Sequence, residues 1–328
     1  MKEILIATLI LALGFVMLIK GADYFVDACS SIAKQFNIPS MIIGLTIVAM
    51  GTSLPECAVS VTASLDGSNE LAISNAVGSN IFNLMVVCGC CALFTPLAVQ
   101  ASTLKKEFPF SIICAILLFG LGILGKPESL DIHQEGGIFS PGLLGRIDGI
   151  IMIVIFVIYL VSMVISAKKN PAQADEEYQL LPWWKCLIFI VGGAAAIKFG
   201  GDFVVKGATT IARSFYLSEN LIGLTIVALG TSLPELVTSL VAAKKNEVDM
   251  ALGNVVGSNI FNILLVLGLA GAISPVTMIS DNFMDILILI AMSVIVWIFA
   301  WHQKKITRGE GVAMLAIYVG YMVYICVR

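Results

Sequence analysis

Charged side chains are scarce in this sequence of 328 residues. Lys, Arg, Asp and Glu make up 12% of the chain, whereas hydrophobic residues make up 59%. A soluble globular protein carries about 25% charged residues, so this chain lacks the polar residues for a water-facing surface. Its net charge of −3 also provides no basic face for nucleic-acid phosphates. The composition excludes soluble enzymes, disordered chains and nucleic-acid binders, and it predicts a polytopic membrane protein.

The sequence also lacks the motifs of catalysis and of soft-metal binding. It contains no recognisable nucleophile–base set and no nucleotide-binding motif, so we expect no enzyme activity. The run Cys88-Gly-Cys90-Cys91 has no histidine near it, and a helix would spread these thiols around its circumference, which favours packing over metal binding. We expect no permanently bound cofactor. Beyond the lipid bilayer, nothing in the sequence indicates an obligatory protein partner.

Ten apolar stretches are long enough to cross a bilayer, which takes roughly 20 residues. Short polar segments separate them, the longest at 126–146 and 168–182. The first stretch lacks a cleavage-site pattern, and we interpret it as a helix and not as a signal peptide. The sequence therefore predicts an all-α polytopic membrane protein with about ten transmembrane helices. The predicted spans are 3–32, 39–65, 69–94, 107–125, 147–167, 183–212, 218–243, 248–273, 282–302 and 310–327.

The distribution of Lys and Arg predicts the orientation. With the N-terminus outside, the predicted inner loops hold ten of these residues and the outer loops and ends hold five. Cytoplasmic loops carry the excess of positive charge. We therefore expect both termini outside the cell (plasma) membrane of a prokaryote and the 168–182 loop in the cytoplasm.

An internal duplication is the most informative feature of the chain. Residues 44–56 read GLTIVAMGTSLPE and residues 223–235 read GLTIVALGTSLPE; residues 75–83 read NAVGSNIFN and residues 254–262 read NVVGSNIFN. Both matches lie 179 positions apart. Five predicted spans in the first half place the second copy upside down in the membrane, which is a transporter architecture. We predict a first inverted repeat at 1–167, a linker at 168–182 and a second inverted repeat at 183–328.

Within the repeated motif segments, Glu56 and Glu235 are the only carboxylates deep inside apolar spans. A charge at that depth costs about 2.5–3.5 kcal/mol on insertion scales. No Lys or Arg lies at a matching depth in the four motif-bearing spans, so the natural counter-ion is a cation. The alternative is that each glutamate is protonated and hydrogen-bonded.

Neutral oxygen ligands surround these carboxylates in the sequence. Pro55 and Pro234 interrupt helical hydrogen bonding and predict a break at each GTSLPE segment, and irregular backbone at this depth is tolerated where it lines a cavity. Oxygen-only coordination suits hard cations such as calcium and sodium and disfavours zinc and copper. The side chains that predict this oxygen cage are Thr52, Ser53, Thr231, Ser232, Ser79, Ser258, Asn83 and Asn262.

The paired GTSLPE and GSNIFN segments resemble the two alpha-repeats of the sodium/calcium exchanger family, within the calcium/cation antiporter superfamily. The likeness spans nearly the whole chain and is greatest with compact prokaryotic members. It implies ten helices in two inverted sets of five, with Glu56 and Glu235 ligating calcium and sharing sodium. It also implies oxygen ligands from the hydroxyls above and from the carbonyls of Ala49 and Ala228. Some relatives carry Asp where this chain has Asn262, so two carboxylates balance one calcium here.

The resemblance also implies that the first and sixth helices slide across the other eight. In the sixth span, 192–196 and 200–201 are all Gly or Ala, which predicts a smooth sliding interface. Asp23 and Asp202 match across the repeat, and the nearby lysines predict intrahelical ion pairs, the alternative being a role in the access path of the cation.

The leading hypothesis is a secondary antiporter that exchanges sodium for calcium by alternating access. Proton-coupled calcium exchange is the first alternative, with Glu56 or Glu235 carrying the proton. A channel is the second, and the inverted duplication with two broken helices argues against it.

Overall fold

We describe the fold from a computed structural model, which describes residues 2–67, 69–125, 138–169, 180–215 and 228–327. Within these ranges the chain is almost entirely helical. The helices are α1 (Lys2–Gln35), α2 (Ser40–Thr52), α3 (Leu54–Leu65), α4 (Asn69–Phe82, continuing through Asn83–Val87 and Cys88–Phe94), α5 (Thr103–Leu124), α6 (Arg146–Lys169), α7 (Trp183–Ser214), α8 (Ala228–Gly230), α9 (Leu233–Lys244), α10 (Val248–Ile273), α11 (Ser280–Gln303) and α12 (Arg308–Val327).

Eight of these helices are long and apolar enough to cross a membrane, and the bent pair α2–α3 makes a ninth candidate. The predicted spans coincide with them except at the seventh, 218–243, whose first part lies outside the described residues. The described part of that span forms α8 and α9. The chain is therefore an integral membrane protein, whereas the count of ten helices stays a prediction. Most of the predicted loops 126–146 and 168–182 also lies outside the described residues.

The structure departs from the all-α prediction at two short antiparallel β ladders. Strand β1 (Leu97–Ala98) pairs with β4 (Lys305–Ile306), and β2 (Gly142–Leu144) pairs with β3 (Val276–Met278). These segments connect helices and are too short for the sequence pattern to reveal. Each ladder joins a connection of the first half of the chain to one of the second, and so satisfies backbone groups between distant helices.

Helix α10 forms the centre of the molecule, and all its residues from Met250 to Asn262 are buried. A Cβ atom on Gly257 would lie 2.7 Å from both the Cα and the carbonyl oxygen of Leu45. Only glycine therefore allows α2 to approach α10 this closely. This contact brings the GTSLPE segment of the first repeat against the GSNIFN segment of the second.

Helices α1 and α7 make a second close contact. A Cβ on Gly193 would lie 2.9 Å from the carbonyl oxygen of Gly21, and one on Gly200 would lie 2.9 Å from that of Gly14. The small residues of α7 thus press its backbone against α1. The sequence predicts that the small residues of this helix form a smooth surface against the other helices. That prediction is wrong for Gly193, which is buried against α1, and for Gly192 and Ala195, which are exposed.

The ion pairs of α1 and α7 differ from each other. Lys198 pairs with Asp202 within α7 at 2.6 Å, as predicted. Asp23 instead bonds Lys245, which follows α9, and the Lys245 Nζ lies 2.6 Å from carboxylate oxygens of both Asp23 and Asp27. Burial lowers the pKa of Lys245, but the bonds and charges of these two carboxylates outweigh it and hold that pKa above its ordinary value. The prediction of an intrahelical pair for Asp23 is therefore wrong, because Asp23 pairs with a lysine from the turn after α9.

Candidate cation-binding site

Both GTSLPE segments break the helix at the same place. Ser53 ends α2 with φ −88° and ψ 9°, and Ser232 precedes α9 with φ −94° and ψ 4°. A proline follows two residues later in each case and lies in the first turn of the next helix, where its missing N–H is not needed. The axes of α2 and α3 differ by 50°. The predicted interruption is confirmed at both sites.

The two carboxylates lie immediately after these breaks. Glu56 is in the first turn of α3 and Glu235 in the first turn of α9, and both are fully buried. The positive end of a helix dipole stabilises a negative charge in this position. The sequence argument from proline alone missed this contribution, which follows from the start of a new helix at Leu54 and at Leu233.

Each carboxylate is bonded by a serine of the other repeat. Ser53 Oγ donates to Glu235 Oε1 at 2.7 Å, and Ser232 Oγ lies 3.3 Å from Glu56 Oε1. The two pairs are related by the spacing of the duplication. The structure therefore brings the two GTSLPE segments together at one buried junction between the halves of the chain.

The GSNIFN segments complete the junction. Ser79 Oγ donates to Glu56 Oε1 at 3.3 Å and lies 3.0 Å from Ser232 Oγ. Asn262 donates to the same Ser79 hydroxyl at 3.4 Å. Ser258 and Asn83 are fully buried in α10 and α4. The predicted ligands of both repeats thus lie within the same set of helices.

Thr52 is held by the opposite repeat as well. Its hydroxyl lies 3.0 Å from Asn254 Oδ1 and 3.3 Å from the carbonyl oxygen of Ala49. That carbonyl also accepts from the backbone N–H of Ser53 at 3.0 Å. Ala49, predicted to ligate through its carbonyl, is therefore already hydrogen-bonded within the protein at both Thr52 and Ser53.

The remaining predicted residues lie beside the second break. Thr231 is half-buried in the turn between α8 and α9, and it lines a cavity of about 590 Å³. Ala228 begins α8. The repeated segment 223–227 that precedes it lies outside the described residues.

Several buried oxygens at the junction have no hydrogen-bond partner among the described residues. All but one belong to residues of the predicted ligand set. Unsatisfied buried oxygens of this kind require an explanation such as a bound ion or water. They are Glu56 Oε2, Glu235 Oε2, Asn83 Oδ1, Asn262 Oδ1 and Ser258 Oγ and, outside the ligand set, Asn259 Oδ1.

Sequence reasoning missed two features of this site. Helical turns of the wider π type occur at Gly44–Val48, Asn83–Val87 and Asn262–Leu267, and such turns are frequent at functional sites. Asn75 and Asn254 also hold the carboxylate segments, since their amides donate to the carbonyl oxygens of Glu56 at 3.2 Å and of Glu235 at 3.4 Å. Asn75 and Asn254 lie 179 positions apart, which is the spacing of the duplication, and this spacing could have identified them.

Fold and site together define a polytopic membrane protein with a buried oxygen cluster where the two sequence repeats meet. No group of three or more His, Cys, Asp or Glu side chains that could together hold a metal ion occurs in the part of the chain that the structure describes. The cluster therefore combines two carboxylates with neutral oxygens, a donor set for hard cations.

Comparison with known proteins identifies the family. Residues 6–165 and 185–327 match the family described as sodium/calcium exchanger protein. The chain is 41% identical to CaxA of Alkalimonas amylolytica, which carries the name of an antiporter, over 97% of this chain and 98% of CaxA. It is 33% identical to the sodium/calcium exchanger MaX1 of Methanosarcina acetivorans, over 96% and 97% of the two chains.

A solved structure agrees. The sodium-calcium exchanger NCX_Mj, soaked with sodium and strontium, superposes with a TM-score of 0.82 at 31% identity, and the match covers 98% of both chains. The chain belongs to the sodium/calcium exchanger family. It is accordingly a membrane antiporter for cations.

Proposed function

We propose that this protein exchanges sodium for calcium across the membrane by alternating access, as a secondary active antiporter. Calcium and sodium are its transported ions, and no resident cofactor takes part. The proposed ligands are the side chains of Glu56, Glu235, Thr52, Ser53, Thr231, Ser232, Ser79, Ser258, Asn83 and Asn262, with the carbonyl oxygens of Ala49 and Ala228.

The observation that carries this proposal is the set of buried oxygens without protein partners. Glu56 and Glu235 each use Oε1 to accept from serine and leave Oε2 unpartnered among the described residues. A buried carboxylate oxygen without a donor is strongly destabilising unless a cation or a proton compensates it. The neutral oxygens of Ser258, Asn83 and Asn262 lack partners in the same way, and a hard cation satisfies such oxygens together.

Charge balance makes the two ions competitors. Two carboxylates neutralise one calcium ion, and the same carboxylates attract sodium when calcium leaves. Binding of one ion therefore weakens binding of the other at shared ligands. An ion shifts the equilibrium between two transporter states only through its different affinity for them, so exchange at one site couples the two fluxes.

A cavity gives the route to this site. Its wall consists of residues of α3, α7 and the segment from Gly230 to Pro234, and its volume is about 590 Å³. It extends from the end of α7 at Arg213 to Gly230 and Thr231 beside the helix break. In the predicted orientation this cavity opens to the outside, so it is the proposed outer access path.

Proton-coupled calcium exchange is the second candidate. The same unpartnered Oε2 atoms favour it, because a proton on Glu56 or Glu235 also removes the buried charge. Sodium coupling is supported further by the name of MaX1 and by the sodium-soaked NCX_Mj structure.

Calcium flux in proteoliposomes distinguishes the two candidates. The full chain is reconstituted, and sodium, potassium and proton gradients are imposed one at a time. We expect an outward sodium gradient to drive calcium uptake with equal pH on both sides. Uptake that follows a pH gradient and ignores sodium would establish the proton-coupled alternative. Absence of calcium flux under every gradient would refute the proposal.

The proposed architecture is ten helices in two inverted repeats at 1–167 and 183–328, joined by a cytoplasmic linker at 168–182. The matching helix breaks and the reciprocal serine–carboxylate bonds support it. The proposed location is the prokaryotic cell membrane, with both termini outside and no obligatory protein partner.

Cysteine labelling tests this topology. In a cysteine-free background, Gln173→Cys and Arg328→Cys should react with impermeant reagents from opposite sides of the membrane. Labelling of both from one side would contradict an odd number of spans between them.

A further inference from the structure

Two buried asparagines outside the proposed ligand set join α4 to α10. Asn80 and Asn259 have side chains that are 0% and 1% exposed. Asn80 Nδ2 donates to the carbonyl oxygen of Asn259 at 3.1 Å, and Asn259 Nδ2 donates to that of Asn80 at 3.2 Å. The two residues are 179 positions apart, so the duplication pairs each with its own counterpart.

These reciprocal bonds connect the two helices next to the proposed site. Asn80 follows Ser79 and Asn259 follows Ser258. Because each amide grips the backbone of the other helix, the pair restricts both the distance between the helices and their sliding. Loss of either amide leaves a buried carbonyl oxygen without that donor, which is costly at this depth. The serine hydroxyls are therefore held at a fixed position relative to Glu56.

Asn80 makes one further bond that Asn259 does not. Its Oδ1 accepts from Asn262 Nδ2 at 3.1 Å. Since the amide nitrogen of Asn262 is held by Asn80 and Ser79, its Oδ1 is directed away from them and has no partner within the described ranges. Asn259 Oδ1 likewise lacks a partner there, and so do both amide atoms of Asn83. The two bonds from a side-chain amide to a backbone carbonyl are symmetric. The amide-to-amide bond from Asn262 to Asn80 has no counterpart between Asn83 and Asn259 within the described ranges.

We propose that Asn80 and Asn259 are positioning residues of the cation site, and that Asn80 also orients the carbonyl oxygen of Asn262 toward the ion. Neither residue is a ligand. This inference rests on the proposed function, since it concerns the same oxygen cluster. It assigns unequal roles to two residues that the duplication makes equivalent in sequence.

The test compares leucine variants of similar side-chain size in the full chain in proteoliposomes. The measured quantity is the half-saturating calcium concentration for exchange. We expect Asn80→Leu to raise it about tenfold and Asn259→Leu about threefold, because Asn80 loses two polar contacts and Asn259 loses one.

Asn282→Leu is the matched control. Asn282 is 3% exposed, lies in α11 and bonds Ser74 Oγ at 3.4 Å and the backbone N–H of Ile279 at 3.0 Å. This variant removes a buried amide away from the oxygen cluster. It should lower the melting temperature and leave the half-saturating calcium concentration at the parent value.

A double-mutant cycle separates positioning from general structural loss. In an Asn262→Leu background, Asn80→Leu should raise the half-saturating concentration only about threefold further, because its effect through Asn262 is already absent. Asn259→Leu should keep its full effect in that background. Equal, additive effects of both asparagines would overturn the role of Asn80 in orienting Asn262.

Other outcomes are equally decisive. Parent-like calcium affinity in Asn80→Leu and Asn259→Leu, with Glu56→Gln inactive, would overturn the positioning role and leave the proposed function intact. A parent protein that moves no calcium would refute the proposed function itself. If Asn80→Leu fails to fold, Asn80→Ser removes the amide group without adding bulk and carries the same expectations through the cycle.

Discussion

Two buried helix junctions of this protein are built in opposite ways. The contact between α1 and α7 consists of glycines that let backbones touch, at Gly14, Gly21, Gly193 and Gly200. The junction of α2, α3, α4, α9 and α10 consists of hydroxyls, amides and two carboxylates. In a membrane, helices associate through close packing and through polar bonds, since lipid is as apolar as leucine. Here close packing dominates the junction of α1 and α7, and polar bonds dominate the other junction.

The two junctions differ in what they offer to an ion. Close backbone packing at these glycines holds α1 and α7 together. The polar junction keeps oxygens without protein partners, such as Glu56 Oε2 and Glu235 Oε2. Only the second junction offers anything for a cation to bind. Substitutions at the two junctions should therefore change different measured quantities.

The largest effect is expected from neutralising the carboxylates. Glu56→Gln and Glu235→Gln should each reduce calcium exchange by more than about 100-fold, because a single buried charge compensates a desolvated divalent ion poorly. Exchange in proteoliposomes and monodispersity in detergent are the measurements. Asp66→Asn, at the exposed end of α3, is the control and should behave as the parent. A parent-like rate in either glutamine variant would show that the site is assigned wrongly.

A smaller effect is expected from removing one hydroxyl of the polar junction. Thr52→Val is isosteric but leaves Asn254 Oδ1 without the hydroxyl that lies 3.0 Å away. We expect the half-saturating calcium concentration to rise roughly tenfold, in line with about 1–2 kcal/mol for a lost buried hydrogen bond. Thr46→Val is the control, since its hydroxyl bonds the carbonyl of Ile42 within α2 and no other group among the described residues. Equal effects of both variants would argue against a special role for Thr52.

The glycine junction should respond in rate and stability instead of affinity. A Cβ on Gly193 would lie 2.9 Å from the carbonyl oxygen of Gly21 and from Phe25 Cβ, and overpacking of this kind costs about 1–3 kcal/mol. Gly193→Ala should lower the melting temperature and slow exchange about fivefold, with calcium affinity unchanged. Gly192→Ala is the control, because nothing lies within 4 Å of its Cβ position. A change in calcium affinity without a change in exchange rate would contradict the proposed difference between the two junctions.

The smallest effect is expected from the ion pairs between α1 and the turn after α9. Lys245→Met removes the bonds to Asp23 and Asp27 but keeps the aliphatic stem. About a third of these side chains is exposed, so the loss should be about 1 kcal/mol or less. Thermal unfolding at low and high salt measures it, and the difference from the parent should shrink at high salt. A salt-independent difference would point to packing and not to charge.

Much of the site was predictable from residue type and spacing. The duplication identified Glu56 and Glu235, and Pro55 and Pro234 indicated where the helices break; both breaks are confirmed. The set of ligands stays a prediction, supported by the buried oxygens without partners. The π turns at Asn83 and Asn262 were not predicted, because no residue pattern in the sequence marks their i to i+5 bonding.

Pairing between distant helices was harder to predict. The lysines of the first and sixth spans suggested local partners for Asp23 and Asp202, which was right for Asp202 and wrong for Asp23. Sequence spacing reports neighbours along one helix. It does not report that Lys245, in the turn after α9, lies 2.6 Å from Asp23.

The sequence by itself determined that the chain is embedded in a membrane, that it is duplicated, and that the repeated carboxylates Glu56 and Glu235 adjoin broken helices. Those properties depend on hydrophobicity, residue identity and local backbone preference, which act along the chain. Tertiary structure alone decided that Ser53 bonds Glu235 and that Asn80 and Asn259 bond each other. Such pairs depend on the rotation and height of one helix against another. In an apolar medium, helix rotation and height are set by the sum of all packing contacts and polar bonds at once.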